Sequence, residues 1–189
     1  LPRLDWIFQE NCNSHIIRYS WPAWSLEAAH RYAVGRSQGI PPMSLFYPDR
    51  EDTSRLAWAL SMSWGHLYLG TSEGKSVAEY EKPLRDFEIK MAQYLHNTER
   101  IPDVLFYFSN KNRLLDKYAV SRSLAGMYTW GQSCARGNIP FSMCRKDDLI
   151  EIDQSPSRPA PLLIINEIRF IDNTEMQAFR NFMEAGGTL

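Results

Sequence analysis

The residues able to do chemistry are few, and their spacing narrows what that chemistry is. Glu10 closes the strand-like run Leu4-Asp5-Trp6-Ile7-Phe8-Gln9 and is followed by Asn11. A carboxylate delivered at the end of a strand can serve as acid, base or nucleophile. Two further carboxylates, Asp49 and Glu51, stand in the polar turn just past the run Pro42-Met43-Ser44-Leu45-Phe46-Tyr47. Cys12, Cys134 and Cys144 form no C-x-x-C pair, and His15, His30, His66 and His96 show no metal-ligand spacing. Neither a disulfide framework nor a metal site is expected. A cysteine nucleophile needs a strained strand-to-helix turn with small neighbours. Cys134 lies inside a helical pattern and Cys144 is followed by Arg145-Lys146, so thiol chemistry is disfavoured. The stretch Gly70-Thr71-Ser72-Glu73-Gly74-Lys75-Ser76 has the wrong glycine spacing for a phosphate loop, and no helix follows at once. No cofactor is expected.

The totals exclude other classes. A net charge of −1 over 189 residues, with no Lys/Arg cluster, gives no electrostatic footing for nucleic acid. No run of 18 apolar residues exists, so no membrane span is expected. A 44% hydrophobic content supports a substantial core. Six tryptophans suit a sugar-binding surface or a large core, the core being the commoner use.

Three strand-then-helix units position these residues. Glu10 and Asn11 end the first strand, and Cys12–Trp24 reads as a long loop holding three aromatics and Arg18. Ser25 is placed to cap a helix that Gly39 closes. The run 42–47 is the second strand, followed by a helix opened by Asp52 or Thr53, with Leu56, Ala59, Leu60 and Ser63 on one face. His66–Gly70 is the third strand. The helix after it, Glu81–Leu95, takes Pro83 in its first turn. Such alternation implies a parallel α/β arrangement.

Past a polar, Pro-ended boundary at Asn97–Pro102 the alternation resumes. Asp103–Phe108 is a strand, about Asp116–Arg136 a helix, Ile139–Cys144 a strand, and Asp147–Leu149 a brief helical turn. The unbroken apolar run Leu162–Ile165, ending in Asn166, reads as a strand covered on both faces. Asp172 and Glu175 have capping-box spacing, and Met176, Phe179, Phe182 and Met183 form one stripe. Gly186-Gly187 supplies a left-handed cap, and Thr188-Leu189 reads as the first step of another strand, so the chain is expected to be a piece of a longer one.

Taken in order, the D-W-I-F-Q-E-N strand, the strand after Gly-Ile-Pro-Pro, the W-A-L-S-M-S-W-G-H-L-Y-L-G unit and the closing E-A-G-G-T-L resemble the family 42 β-galactosidases. There the last βα units of a TIM barrel run into a so-called trimerisation domain, flavodoxin-like as in class I glutamine amidotransferases. The resemblance covers nearly the whole chain. It implies that residues 1–96 are the C-terminal portion of a barrel and 97–189 an incomplete flavodoxin-like domain. It also implies a carbohydrate substrate, no cofactor, and a homo-oligomer formed through the second domain.

Barrel enzymes react at the C-terminal ends of their strands. The resemblance therefore puts Glu10, Asn11, Tyr47, Asp49 and the loop Thr71-Ser72-Glu73 at the barrel mouth, with Glu10 and Asp49 as catalytic carboxylates and Asn11, Arg18 and Tyr47 binding substrate. A glycoside hydrolase needs two carboxyl groups across the scissile bond. In family 42 the nucleophilic Glu ends strand seven, where this sequence has Phe46-Tyr47, and the general acid lies on strand four, which has no counterpart here. Two alternatives stand: a divergent hydrolase of O-glycosidic bonds, or a non-catalytic scaffold with a degenerate barrel. An amidotransferase is the least favoured, since no thiol ends the strand at 162–165.

Overall fold

In a computed structural model the chain divides into two compact units, 1–99 and 100–189. The structure describes residues 7–11, 21–71, 77–95, 98, 100–116, 119–150 and 161–189. Every pairing between its described strands is parallel, which is the expected α/β class.

The first unit holds β1 (Ile7–Asn11), α1 (Trp21–Gln38), β2 (Pro42–Phe46), α2 (Glu51–Ser63), β3 (Leu67–Gly70) and α3 (Val77–Leu95). Its strand order is β1-β2-β3, so each strand lies beside the next one in sequence. Right-handed crossovers that all step the same way put their helices on one face. The register places Asn11, Phe46 and Gly70 in one row and Ser44 and Tyr68 in the row beside it. Trp24 of α1 packs on Phe46 at 5.4 Å between ring centres, and Ser54 of α2 meets Tyr68, so both helices cover this face. Small residues let α1 come close: Ala28 and Ala29 are fully buried. Gly35 is required, because a Cβ there would stand 2.5 Å from the Ile40 carbonyl. Glu10, Met43, Leu45, Leu67 and Leu69 point to the opposite face, where Leu67 and Leu69 are 45% and 39% exposed.

The second unit holds β4 (Val104–Tyr107), α4 (Asn110–Leu115), α5 (Ala119–Arg136), β5 (Phe141–Cys144), α6 (Lys146–Ile150), β6 (Leu162–Ile164) and α7 (Asn173–Glu184). The order is β5-β4-β6, and Thr188 adds a parallel bridge to Leu162. The chain steps one way from β4 to β5, then back across β4 to β6. The same handedness then sends helices to both faces. On one face Leu105, Tyr107, Cys144 and Leu163 form a core with Leu149 of α6 and Ala178, Phe179 and Phe182 of α7. On the other, Phe106, Phe141 and Met143 are buried, and α5 contacts β5 with its own Met127, Gly131 and Cys134 buried.

Several boundaries differ from expectation, each for a local reason. Helix α1 starts at Trp21, four residues before Ser25, whose hydroxyl donates to the Trp21 carbonyl (2.9 Å) inside the helix. Helix α2 starts at Glu51 and buries Thr53, Ser54, Ala57, Leu60 and Ser61, so Leu56 points outward. Helix α3 begins at Val77, which puts Pro83 inside it. The helix expected over about Asp116–Arg136 is α5, and a short helix not expected precedes it: Ser109 caps α4 by accepting from the Asn112 amide, and Asp116 ends it. Strand β6 stops at Ile164, and Leu162 is 41% exposed, so it is not covered on both faces. The Asp172–Glu175 capping box and the positive φ of Gly186 (94°) are as expected, whereas Met176 and Met183 are exposed and Glu175 is buried in their stead.

Candidate functional site

Parallel sheets carry chemistry at the C-terminal ends of their strands, because the loops there open outward from a rigid frame. In the first unit β1 ends in Glu10-Asn11, and alternation sends these two side chains to opposite faces. Glu10 is exposed on the face away from α1 and α2. Tyr47, the residue after β2, shares that face and donates its hydroxyl to Glu10 Oε1 at 2.5 Å. The two expected site residues 37 positions apart are thus brought together.

The other expected residues do different work. Asn11 faces the helices, is 1% exposed, and accepts from Trp24 Nε1 at 2.7 Å. An indole N–H can only donate, so the amide oxygen is fixed there, and the buried Nδ2 has no partner among the described residues. Burial leaves Asn11 no surface to offer a substrate; it holds α1 onto β1. Asp49 is exposed and accepts from the Thr53 hydroxyl at 3.1 Å, bracing the start of α2. Arg18 and the loop residues Ser72 and Glu73 lie outside the described residues, while Thr71 donates its amide to the Phe46 carbonyl at 3.0 Å.

Two constellations escaped the sequence reading. Ser44 Oγ lies 2.6 Å from His66 Nδ1, and His66 Nε2 lies 3.0 Å from the Ala28 carbonyl. A carbonyl only accepts, so Nε2 carries the proton and Nδ1 accepts from Ser44. This has the look of a nucleophile and its base, but Ser44 is 0% and His66 1% exposed. No substrate reaches them, and the pair ties α1, β2 and the entry to β3 together. Burial lowers the His66 pKa to about 4, which keeps the ring neutral. Alongside, Glu81 of α3, 5% exposed, takes Arg85 (3.0 Å) and Tyr68 (3.4 Å), and burial pushes the Tyr68 phenol up to about 12. Gly70 makes room for Glu81, since a Cβ there would meet Glu81 Oε1.

In the second unit the place where a doubly wound sheet takes a ligand is the gap where connections from adjacent strands diverge, here those leaving β4 and β6. That gap is bridged. Asn112 Oδ1 accepts from the amides of Arg169 and Phe170 at 3.0 and 3.2 Å. Glu175 Oε1 accepts from Tyr107 (2.8 Å) and Ser109 (2.6 Å), and its Oε2 from the Asp172 amide (3.1 Å). Asp172, held by Thr174 and the Glu175 amide, titrates well below the usual carboxylate range. Neither described thiol is a nucleophile. Cys144 is fully enclosed and its pKa is raised well above the ordinary value, and Cys134 is buried with its own pKa raised by desolvation.

Among the described residues no group of three or more His, Cys, Asp or Glu is arranged to hold a metal, and no helix is long and apolar enough to cross a membrane. No protein-family model matches the chain, and no curated protein matches it significantly.

Proposed function

We propose that the chain is part of a glycoside-hydrolase-like protein acting on O-glycosidic bonds. Residues 1–96 are then the closing βα units of a TIM barrel, and 97–189 a flavodoxin-like domain. Supporting the barrel, sequential parallel strands with α1 and α2 on one face are how a barrel wall is laid down, strands inside and helices outside. Supporting the second domain, the order β5-β4-β6 followed by Thr188 is that of a doubly wound sheet. The observation that carries the functional reading is the Glu10–Tyr47 pair at the C-terminal strand ends, on the face away from α1 and α2, where a barrel places its reacting groups.

The test is steady-state kinetics of the full-length protein on a panel of aryl glycosides. Glu10→Gln is expected to lower kcat by about 10²- to 10⁴-fold, the usual cost of a lost acid or base, with an unchanged melting temperature. Unchanged kinetics in the variant of an active enzyme would remove Glu10 from the chemistry.

A second reading has its own observations. The ligand gap of the second unit is bridged by Asn112, and beside it Leu114, Leu115, Phe170 and Ile171 are 76%, 56%, 42% and 42% exposed. That suits a scaffold that pairs with another copy of itself. It takes precedence if the wild type turns over no glycoside and sediments as an oligomer.

A further inference from the structure

Resting on the glycoside-hydrolase reading above, we infer that Trp24 of α1 is a positioning residue: from the opposite face of the sheet it holds the strand ends that carry Glu10 and Tyr47. The register sets Asn11 beside Phe46 in the last paired row of β1 and β2. Glu10 precedes Asn11 and Tyr47 follows Phe46, so each stands one peptide from that row, and alternation turns it to the other face. Trp24 engages both members of the row. Its Nε1–H donates to Asn11 Oδ1 at 2.7 Å, and its ring lies 5.4 Å from that of Phe46, centre to centre. Trp24, Asn11 and Phe46 are 3%, 1% and 0% exposed, so neither contact has solvent as an alternative.

Most core contacts seat a helix on a sheet without fixing where a strand end points. This one acts at the last residue of β1, which pairs with β2 alone among the described strands. A ladder on one side leaves a strand end free to fray, and the indole supplies a second restraint there. The indole is itself held against β2. One turn along α1 the Ala28 carbonyl accepts from His66 Nε2 at 3.0 Å, and Ser44 of β2 donates to His66 Nδ1 at 2.6 Å. Trp24 therefore transmits the position of α1 and β2 to the peptide that carries Glu10. Rates are sensitive to that position, since a misplacement of about 1 Å can cost about 10²-fold.

The experiment is steady-state kinetics of the full-length protein on a dinitrophenyl glycoside, well below the melting temperature of every variant. Trp24→Phe keeps an aromatic ring and removes the donor; it is expected to lose roughly 10- to 100-fold in kcat with KM unchanged. Asn11→Ala is expected to lose a similar factor, and the double variant no more than the larger single loss, because both changes remove one bond. Leu60→Ala in α2, where Leu60 is 8% exposed, destabilises the same unit and is expected to keep kcat. Equal kcat losses in Trp24→Phe and Leu60→Ala would reduce Trp24 to general stability and overturn the role. Additive losses in the double variant would overturn the shared bond. A Trp24→Phe variant that keeps kcat while Glu10→Gln loses it would overturn the positioning role and leave the hydrolase reading intact. A wild type inactive on the glycoside, or a fully active Glu10→Gln, would overturn that reading and this inference with it.

Discussion

The two sheets are made from the same alternation of strand and helix, yet the described helices lie on one face of the first and on both faces of the second. In the first unit the strands follow one another in space as in sequence, so the crossovers that α1 and α2 form between them land on one face, leaving Leu67 and Leu69 exposed on the other. In the second, one step back across β4 sends helices to both faces, and Phe106 and Tyr107 on opposite sides of β4 are 0% and 2% exposed. Strand order, acting through a fixed crossover hand, thus decides where apolar surface remains and where a polar site can open. The Glu10–Tyr47 pair, with Glu10 exposed, sits on the face away from α1 and α2, whereas the Tyr107–Glu175 pair of the second unit is buried and serves cohesion.

The contrast can be broken most sharply in the second core. Phe106→Ala is expected to cost about 3–5 kcal/mol, because the ring is enclosed and packs edge-to-face on Phe141. Denaturant titration would measure it, and a cost below about 1 kcal/mol would show that this face is not wrapped. Acid separates the units next. The His66 ring titrates at about 4 when folded and at 6.5 when unfolded, so the unfolded chain takes up the proton first. The associated stability is complete above pH 6.5, declines as pH falls towards 4, and then levels off. At 1.36 kcal/mol per unit the loss is about 3 kcal/mol. The described residues of the second unit include no histidine, and Asp172, with its lowered pKa, loses its contribution only at still lower pH. Melting followed by pH-resolved hydrogen exchange should therefore find the first unit opening first between pH 6.5 and 4. Simultaneous loss in both units would contradict the neutral buried imidazole. The smallest effect belongs to the face of the first sheet away from α1 and α2: Leu69→Ala is expected to change stability by under about 1 kcal/mol, since 39% of the residue is already in solvent. A cost of several kcal/mol in the full-length protein would mean that further chain covers that face there.

The sequence by itself determined what lies within a few residues' reach. The alternation of strands and helices, the Asp172–Glu175 capping box and the left-handed Gly186 are all legible because propensity, side-chain caps and positive φ are local matters. Local signals also misled. Ser25 has the right type for a cap yet sits a turn inside α1, and Met176 lies on a plausible stripe yet faces solvent, because packing selected Glu175, Ala178, Phe179 and Phe182. Glu10 and Tyr47 were legible as strand-end residues, but their hydrogen bond was not, and neither was the burial of Asn11 one position along. Ser44 with His66, and Tyr107 with Glu175, are separated by 22 and 68 residues. No periodicity links such positions; strand register and crossover direction bring them together. Only the tertiary structure decided which carboxylate meets solvent and which meets a buried phenol, because burial depends on which face the neighbouring helices cover.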